Sequence, residues 1–143
     1  MGVAAALTPR VRLMVICDAV RASKMEAGVF DLKGVRQTIN ASVFPFRPAQ
    51  LWLFLVLSSP RAGRFPGYVR VVNDRTDKAI FYAHLDPSPE FGDDVDFVAV
   101  RTPIRCAFSE TGPYSVQVWF FQEHYSDILK GELTFLVESE GQT

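Results

Sequence analysis

The chain has 143 residues, of which 48% are apolar and 22% charged, and this composition excludes an intrinsically disordered protein. Its length suits a single domain over residues 1–143, with a core that needs neither disulfides nor metal. The 15 basic and 16 acidic side chains give a net charge of -1, which argues against general binding of nucleic acid.

The N-terminus does not have the order of a signal peptide. Met1 to Leu7 is small and apolar, but no basic segment precedes it, and Arg10 and Arg12 interrupt the apolar run that follows. No stretch of the chain approaches the length of a membrane span. We therefore expect a cytoplasmic protein that makes no membrane contact.

The first half of the chain shows the short apolar runs and alternation that are typical of β-strands. Val11 to Cys17 is predicted as the first strand, and a second begins at Gly28 and continues as far as Ala41. Leu51 to Leu57 is apolar on both faces. Its short length and the prolines and serines around it favour a buried central strand over a buried helix.

The second half continues the same pattern. Tyr68 to Val72 and Ala79 to Ala83 flank a polar turn, which predicts a hairpin. Pro103 interrupts the next apolar segment and places it at a sheet edge or a bulge. Alternation is clearest from Tyr114 to Phe121, and the last strand is predicted from Gly131 to Val137. About seven to eight strands with regular turn signals indicate an all-β sandwich or barrel.

A short motif narrows the predicted fold to one type of sandwich. Gly112-Pro113-Tyr114 precedes alternating residues from Ser115 to Val118. It resembles the corner before a late strand of immunoglobulin-like domains, where the tyrosine hydroxyl bonds to backbone a few residues upstream. The resemblance implies that structural role for Tyr114 and an antiparallel immunoglobulin-like β-sandwich of about seven to eight strands.

A wider resemblance covers most of the chain. Val15-Ile16-Cys17-Asp18, Gly28-Val29-Phe30-Asp31 and the apolar strand from Leu51 resemble a family of small bacterial proteins of unknown function. Its members pair an N-terminal Cys-Asp segment with an immunoglobulin-like β-domain. This resemblance implies the same fold and carries no activity with it.

The sequence offers little support for catalysis or metal binding. Cys17 could act as a nucleophile only with a nearby base, and His84 and His124 lie far along the chain. Two histidines and two cysteines show none of the spacings of a zinc site. We therefore predict that the protein is not an enzyme and holds no metal or cofactor. Cys17 and Cys106 are predicted as buried thiols, and a disulfide between them is the alternative.

The aromatic residues indicate a contact surface. Trp119 and Phe121 lie on the face of their strand opposite Val116 and Val118. Only one face of a sandwich sheet packs on the core, so Trp119 and Phe121 need another cover, either this chain's own loop or arm or a second protein. We predict a non-enzymatic interaction module that self-associates or docks on a protein partner, through a surface that includes Trp119, Phe121, Arg61 and Arg64.

Two further interpretations stay open. Arg61, Arg64 and Arg70 surround a Ser-Pro-Gly loop and are the best candidates for an anion contact, although a plain surface loop explains them more simply. The alternative function is a small-ligand or carbohydrate-binding module, in which exposed aromatic rings stack on the ligand.

Overall fold

The computed structural model describes residues 8–93 and 97–140. These residues form eleven β-strands, and none of them belongs to a helix that could cross a membrane. The segment from Met1 to Leu7, on which the prediction about a signal peptide rests, lies outside the described residues. In chain order the strands are β1 (Arg10–Ala22), β2 (Phe30–Arg36), β3 (Thr38–Ala41), β4 (Trp52–Ser58), β5 (Gly63–Arg64), β6 (Gly67–Asn73), β7 (Lys78–His84), β8 (Glu90–Phe91), β9 (Phe97–Pro103), β10 (Gly112–Gln122) and β11 (Tyr125–Ser139).

One sheet has four antiparallel strands in the order β2-β1-β4-β9. β4 lies inside it, and Leu53, Leu55 and Leu57 are fully buried. This confirms the central strand that apolar residues on both faces predicted. Pro103 ends the edge strand β9, as expected for a residue that cannot donate a hydrogen bond to a ladder.

The other large sheet has five strands in the order β3-β11-β10-β6-β7. The predicted hairpin is β6 and β7, and the predicted alternating strand is β10. β3 runs parallel to β11, with Thr38 opposite Leu136, so the prediction of purely antiparallel pairing is wrong here. The strand predicted from Gly28 to Ala41 is divided, because the chain bends at Gln37 and crosses from the four-stranded to the five-stranded sheet.

The described residues contain more strands than the seven to eight predicted. The difference comes from short elements: β3 has four residues, and β5 and β8 form a two-stranded sheet of two residues each. Segments this short carry no recognisable alternation, because a period-two pattern needs several residues to show. The all-β prediction itself is confirmed.

Side chains from both large sheets form one hydrophobic cluster. Ile16 and Leu53 enter it from the four-stranded sheet, and Val71, Val116 and Phe135 enter it from the five-stranded sheet. Full burial of an aliphatic or phenyl side chain contributes about 1.5–3 kcal/mol of transfer free energy. The inward face of each sheet is therefore committed to the core, which leaves the outward faces and the sheet edges for binding.

Candidate functional site

A cluster of aromatic rings lies on the outward face of the five-stranded sheet. Its members are Tyr68 on β6, Tyr82 and His84 on β7, and Trp119 and Phe121 on β10, and we call it the aromatic cluster. Register explains the assembly, since Tyr68 lies opposite His84 on one side and Trp119 on the other. Successive side chains alternate across a strand, so residues adjacent in sequence to these rings point into the core.

Tyr68 is the centre of the cluster. Its ring centroid lies 4.8 Å from that of Tyr82, 5.1 Å from Phe121 and 6.2 Å from Trp119. The Trp119 and Tyr68 planes are 2° apart. These centroid distances fall within the range of favourable aromatic pairs. Tyr68 is only 7% exposed as a result, although it lies on the outward face.

The hydroxyl group of Tyr68 has a partner of its own. It donates a hydrogen bond to Asp127 Oδ2 at 2.9 Å. Burial and the neighbouring carboxylate of Asp127 raise the pKa of Tyr68 to about 12, because both disfavour the phenolate. Tyr68 is therefore a neutral donor that anchors the cluster to β11.

Trp119 is half-buried by neighbouring strands of its own sheet. Besides stacking on Tyr68, its ring has the Arg70 guanidinium 5.7 Å from its centroid. Its Nε1 donates to Gln117 Oε1 at 3.0 Å. Among the described residues, neighbouring strands thus cover much of Trp119, and the N-terminal segment that could supply an arm lies outside them. Phe121 and Tyr82 stay 40% and 51% exposed and form the open part of the cluster.

The predicted arginine candidates have partners away from this cluster. The Arg61 guanidinium lies 4.8 Å from the ring centroid of Phe65, and Arg64 forms an exposed ion pair with Glu90 at 3.3 Å. Both arginines belong to the connection between β4 and β6. Arg70, by contrast, joins the aromatic cluster through Trp119.

β7 is an edge of the five-stranded sheet, and among the described strands it pairs with β6 alone. The Leu85 N–H donates to Gly67 O at 2.9 Å, towards β6. Successive residues of an antiparallel strand direct their backbone groups to opposite sides. The N–H and C=O of His84 and Tyr82 therefore point away from β6, to the open side.

β7 is less protected than the edges of the four-stranded sheet. Charged residues and prolines on an edge discourage pairing with another strand. β2 carries Lys33 and Arg36, and β9 carries Arg101 and Pro103, whereas β7 has one lysine, Lys78, at its first position. Sequence reasoning missed this edge because strand order is not visible in local alternation.

The two cysteines are separate buried thiols, so the disulfide alternative is wrong. Burial raises the pKa of Cys17, whose Sγ lies 3.5 Å from the Ala19 carbonyl oxygen. Burial also raises the pKa of Cys106, to about 11. Both thiols are therefore protonated near neutral pH. Within residues 8–93 and 97–140, no three His, Cys, Asp or Glu side chains are grouped as a metal site would need.

Comparisons with known proteins do not assign this chain to a family. No protein family matches the sequence, and no curated protein matches it either. Among solved structures, the crystal structure of the PmoD soluble domain from Methylocystis sp. ATCC 49242 (Rockwell) is similar, with a TM-score of 0.41 and 9% identity over 90% of this chain and 97% of that one. A likeness this distant carries no inference about function.

Proposed function

We propose that this protein is a non-enzymatic interaction module that self-associates through β7. The supporting observation is the open edge of that strand, where the backbone groups of Tyr82 and His84 point outwards beside the aromatic cluster. An unpaired, weakly charged edge is a ready template for another strand. Pairing would extend the five-stranded sheet across two molecules.

The regular half of β7 favours a second copy of this chain as the partner. A two-fold axis at Tyr82 makes the pairing antiparallel and self-complementary. In that register Tyr82 lies opposite its own equivalent and Phe81 lies opposite Ala83 of the other copy, so no like charges are opposed. Aromatic cross-strand pairs stabilise the pairing of two strands by about 0.2–1 kcal/mol.

Self-association would also extend the aromatic cluster. Tyr82 and His84 lie on the outward face with Trp119 and Phe121, so two copies joined at β7 would bring both clusters onto one continuous face. Tyr82, half exposed in one chain, would face its own equivalent. The register shift near Val72 limits the regular edge to the C-terminal half of β7, which centres the pairing on Tyr82.

For the fold, we propose the immunoglobulin-like β-sandwich that the sequence resembles. The order β11-β10-β6-β7 corresponds to the G-F-C-C′ order of such domains, and β1-β4-β9 corresponds to strands A, B and E. The Tyr114 hydroxyl donates to the Glu110 carbonyl oxygen at 2.8 Å, which is the bond of a tyrosine corner.

Sedimentation equilibrium of the full chain tests the proposed self-association. We expect a species of about twice the 16.0 kDa chain mass that Tyr82→Lys returns to monomer without loss of its β-sheet circular dichroism. Phe97→Lys is the matched control, because Phe97 is 61% exposed on the edge strand β9. A monomeric wild-type protein, or a Phe97→Lys variant that is equally monomeric, would contradict the proposal.

A pair of charge variants tests the register. Tyr82→Lys and Tyr82→Glu should each be monomeric, since a two-fold axis at this residue places like charges opposite one another. An equimolar mixture of the two variants should associate as a heterodimer, because opposite charges then meet across the axis. A mixture that stays monomeric would rule out pairing centred on Tyr82.

A carbohydrate site on the aromatic cluster is the second candidate function. The flat stack of Trp119 on Tyr68, with Gln117 hydrogen-bonded to Glu132 alongside, offers the rings and polar groups that bind sugars. Trp52→Phe leaves Trp119 as the sole tryptophan, so its fluorescence reports this face directly. Saturable changes with an oligosaccharide on a monomeric protein would favour this candidate over self-association.

A further inference from the structure

We infer that the cavity between the β1–β2 hairpin and residues 46–51 is a binding site for a small organic anion, recognised through its phosphate or carboxylate group. The cavity has a volume of about 640 Å³. Small-molecule sites in proteins have volumes of this order. It is distinct from β7 and the aromatic cluster, so it does not depend on the proposed self-association.

The cavity exists because β1 is longer than its neighbour β4. Cys17 pairs with Trp52, the first residue of β4, while β1 continues to Ala22 in its hairpin with β2. Beyond Cys17, the neighbour of β1 is no longer β4 but the irregular segment of residues 46–51 that precedes β4. This segment leaves a gap that a regular strand would close.

The charged residues of the cavity leave two cations available. Arg36 donates to Asp18 through Nε, at 2.5 Å from Oδ1, and through Nη2, at 2.9 Å from Oδ2. That bidentate pair neutralises both side chains. Arg21 and Lys33 also line the cavity, and neither side chain has a hydrogen bond or ion pair with another described residue.

The surrounding charges reinforce the positive potential. Arg47 and Arg105 line an adjoining cavity on the other side of the segment before β4, and Arg101 donates to the Val20 carbonyl oxygen at 3.2 Å. Asp31 lies opposite Arg21 in the strand register, but these two described residues form no ion pair. A local cationic region on a chain with a net charge of -1 favours an anion at this place.

The walls of the cavity favour a small molecule with an apolar part. Ile39 and Leu51 are buried at its base, and Phe46 is half-buried at its side. Apolar walls with a few polar groups are typical of small-molecule sites. A nucleic acid strand needs an extended basic groove with exposed stacking rings, which this local, partly open cavity does not offer.

Gly34 allows the Asp18–Arg36 pair to lie close to the backbone of β2. Its φ is +64°, and a Cβ at this position would overlap the carboxylate of Asp18. The Asp18–Arg36 pair therefore packs directly on the backbone of β2. Because this ion pair is already ordered, little side-chain entropy is lost at this side of the cavity when a ligand binds.

Calorimetric titration of the full chain with pyrophosphate and with citrate, at low ionic strength, tests the site. We expect saturable binding of at least one anion, and which one binds identifies the phosphate or the carboxylate class. The variant Arg21→Gln/Lys33→Gln should weaken it about 100-fold, since each charged contact contributes about a factor of ten. Arg61→Gln/Arg64→Gln removes the same charge elsewhere and should stay within about twofold.

A second variant separates the cavity from a diffuse charge effect. Ala49→Trp places a large side chain at the lining while keeping every charge, and it should abolish binding. Unchanged binding in Ala49→Trp, or equal weakening by the Arg61 and Arg64 control, would overturn the inference. So would the absence of saturable binding of either anion up to about 10 mM. Tighter binding of a single-stranded DNA of about 12 nucleotides would reassign the region to nucleic acid.

Discussion

The hydroxyl of Tyr114 donates a 2.8 Å hydrogen bond to the carbonyl oxygen of Glu110, four residues earlier in the chain. The Glu110 side chain is held as well, by Asn73 Nδ2 at 2.8 Å and by an ion pair with Arg75. The turn before β10 is thus fastened to the start of β10 through its backbone and to the β6–β7 hairpin through a side chain.

Removal of the Tyr114 hydroxyl should destabilise the protein without unfolding it. Tyr114→Phe removes the hydroxyl donor from the part-buried carbonyl oxygen of Glu110, and we expect a loss of about 1–2 kcal/mol in the free energy of unfolding. Urea unfolding followed by circular dichroism measures it. Tyr125→Phe is the control, because Tyr125 is exposed near the β10–β11 turn and its change should be within about 0.5 kcal/mol. Equal effects of the two substitutions would refute this role for the corner.

Substitution of Gly34 should cost more than substitution of Gly28. Both have positive φ, +64° and +78°, so alanine is strained at each by about 1 kcal/mol. At Gly28 an added Cβ meets nothing within 4 Å, whereas at Gly34 it overlaps Asp18. We expect Gly34→Ala to be at least about 1 kcal/mol more destabilising than Gly28→Ala in chemical denaturation.

A double variant identifies the source of that extra cost. In an Asp18→Ala background the overlap is absent, so the difference between the two glycine substitutions should shrink to the strain that they share. If the difference persists without the Asp18 carboxylate, the close approach of Gly34 and Asp18 is not its cause.

Stability should fall in alkali partly through Tyr68. Its pKa is about 12 in the folded protein against 10.0 for the free side chain, so the unfolded chain releases this proton first. The contribution of Tyr68 to the free energy of unfolding is therefore fully present below pH 10. It is lost as pH rises towards 12, by up to about 2 kcal/mol. Unfolding by urea at a series of pH values measures this slope.

Tyr68→Phe is the comparison for the alkaline slope. It should be less stable than wild type near neutral pH, because Asp127 loses its hydrogen-bond donor, but its stability should fall less steeply above pH 10. The buried thiol of Cys106 titrates in both proteins, so the difference between their slopes isolates Tyr68. Identical slopes would show that the folded-state pKa of Tyr68 is not raised.

Both cysteines should resist thiol reagents in the native state. Cys17 and Cys106 are buried, and burial raises the pKa of each, so little thiolate is present and the reagent has no access. With Ellman's reagent we expect no fast reaction at neutral pH and two reacting thiols per chain in guanidinium chloride. Absence of thiol reaction after unfolding without reductant would indicate a disulfide and contradict the structure.

Several strands were predictable because alternation is a local property. β10 alternates over many residues with one apolar face, and β4 is a short apolar run between chain breakers, so neither depends on knowledge of its neighbours. β3 was not predictable as a separate strand. Its sheet is decided by its pairing with β11, at the other end of the chain, and no local pattern records that choice.

The residues of the candidate site likewise divide into those that the sequence predicts and those that only the strand order brings together. Trp119 and Phe121 follow from the alternation of β10, since the opposite face is the more continuous apolar one. Tyr68, Tyr82 and His84 join them only because β6 lies between β10 and β7. The sequence suggested Arg61, Arg64 and Arg70. The structure gives Arg61 and Arg64 other partners, places Arg70 over Trp119 and lines a cavity with Arg21 instead.

By itself the sequence determined that this protein is all-β and which faces of its longer strands are apolar, and it predicted two buried cysteines without excluding a disulfide between them. Only the tertiary structure decided that β7 is an open edge among the described strands. Only the tertiary structure decided, too, that β1 extends beyond the first residue of β4 and leaves a cavity beside Arg21 and Lys33. The physical reason is that alternation is encoded residue by residue. The choice of neighbouring strand depends instead on hydrogen bonds and packing between segments far apart in the chain.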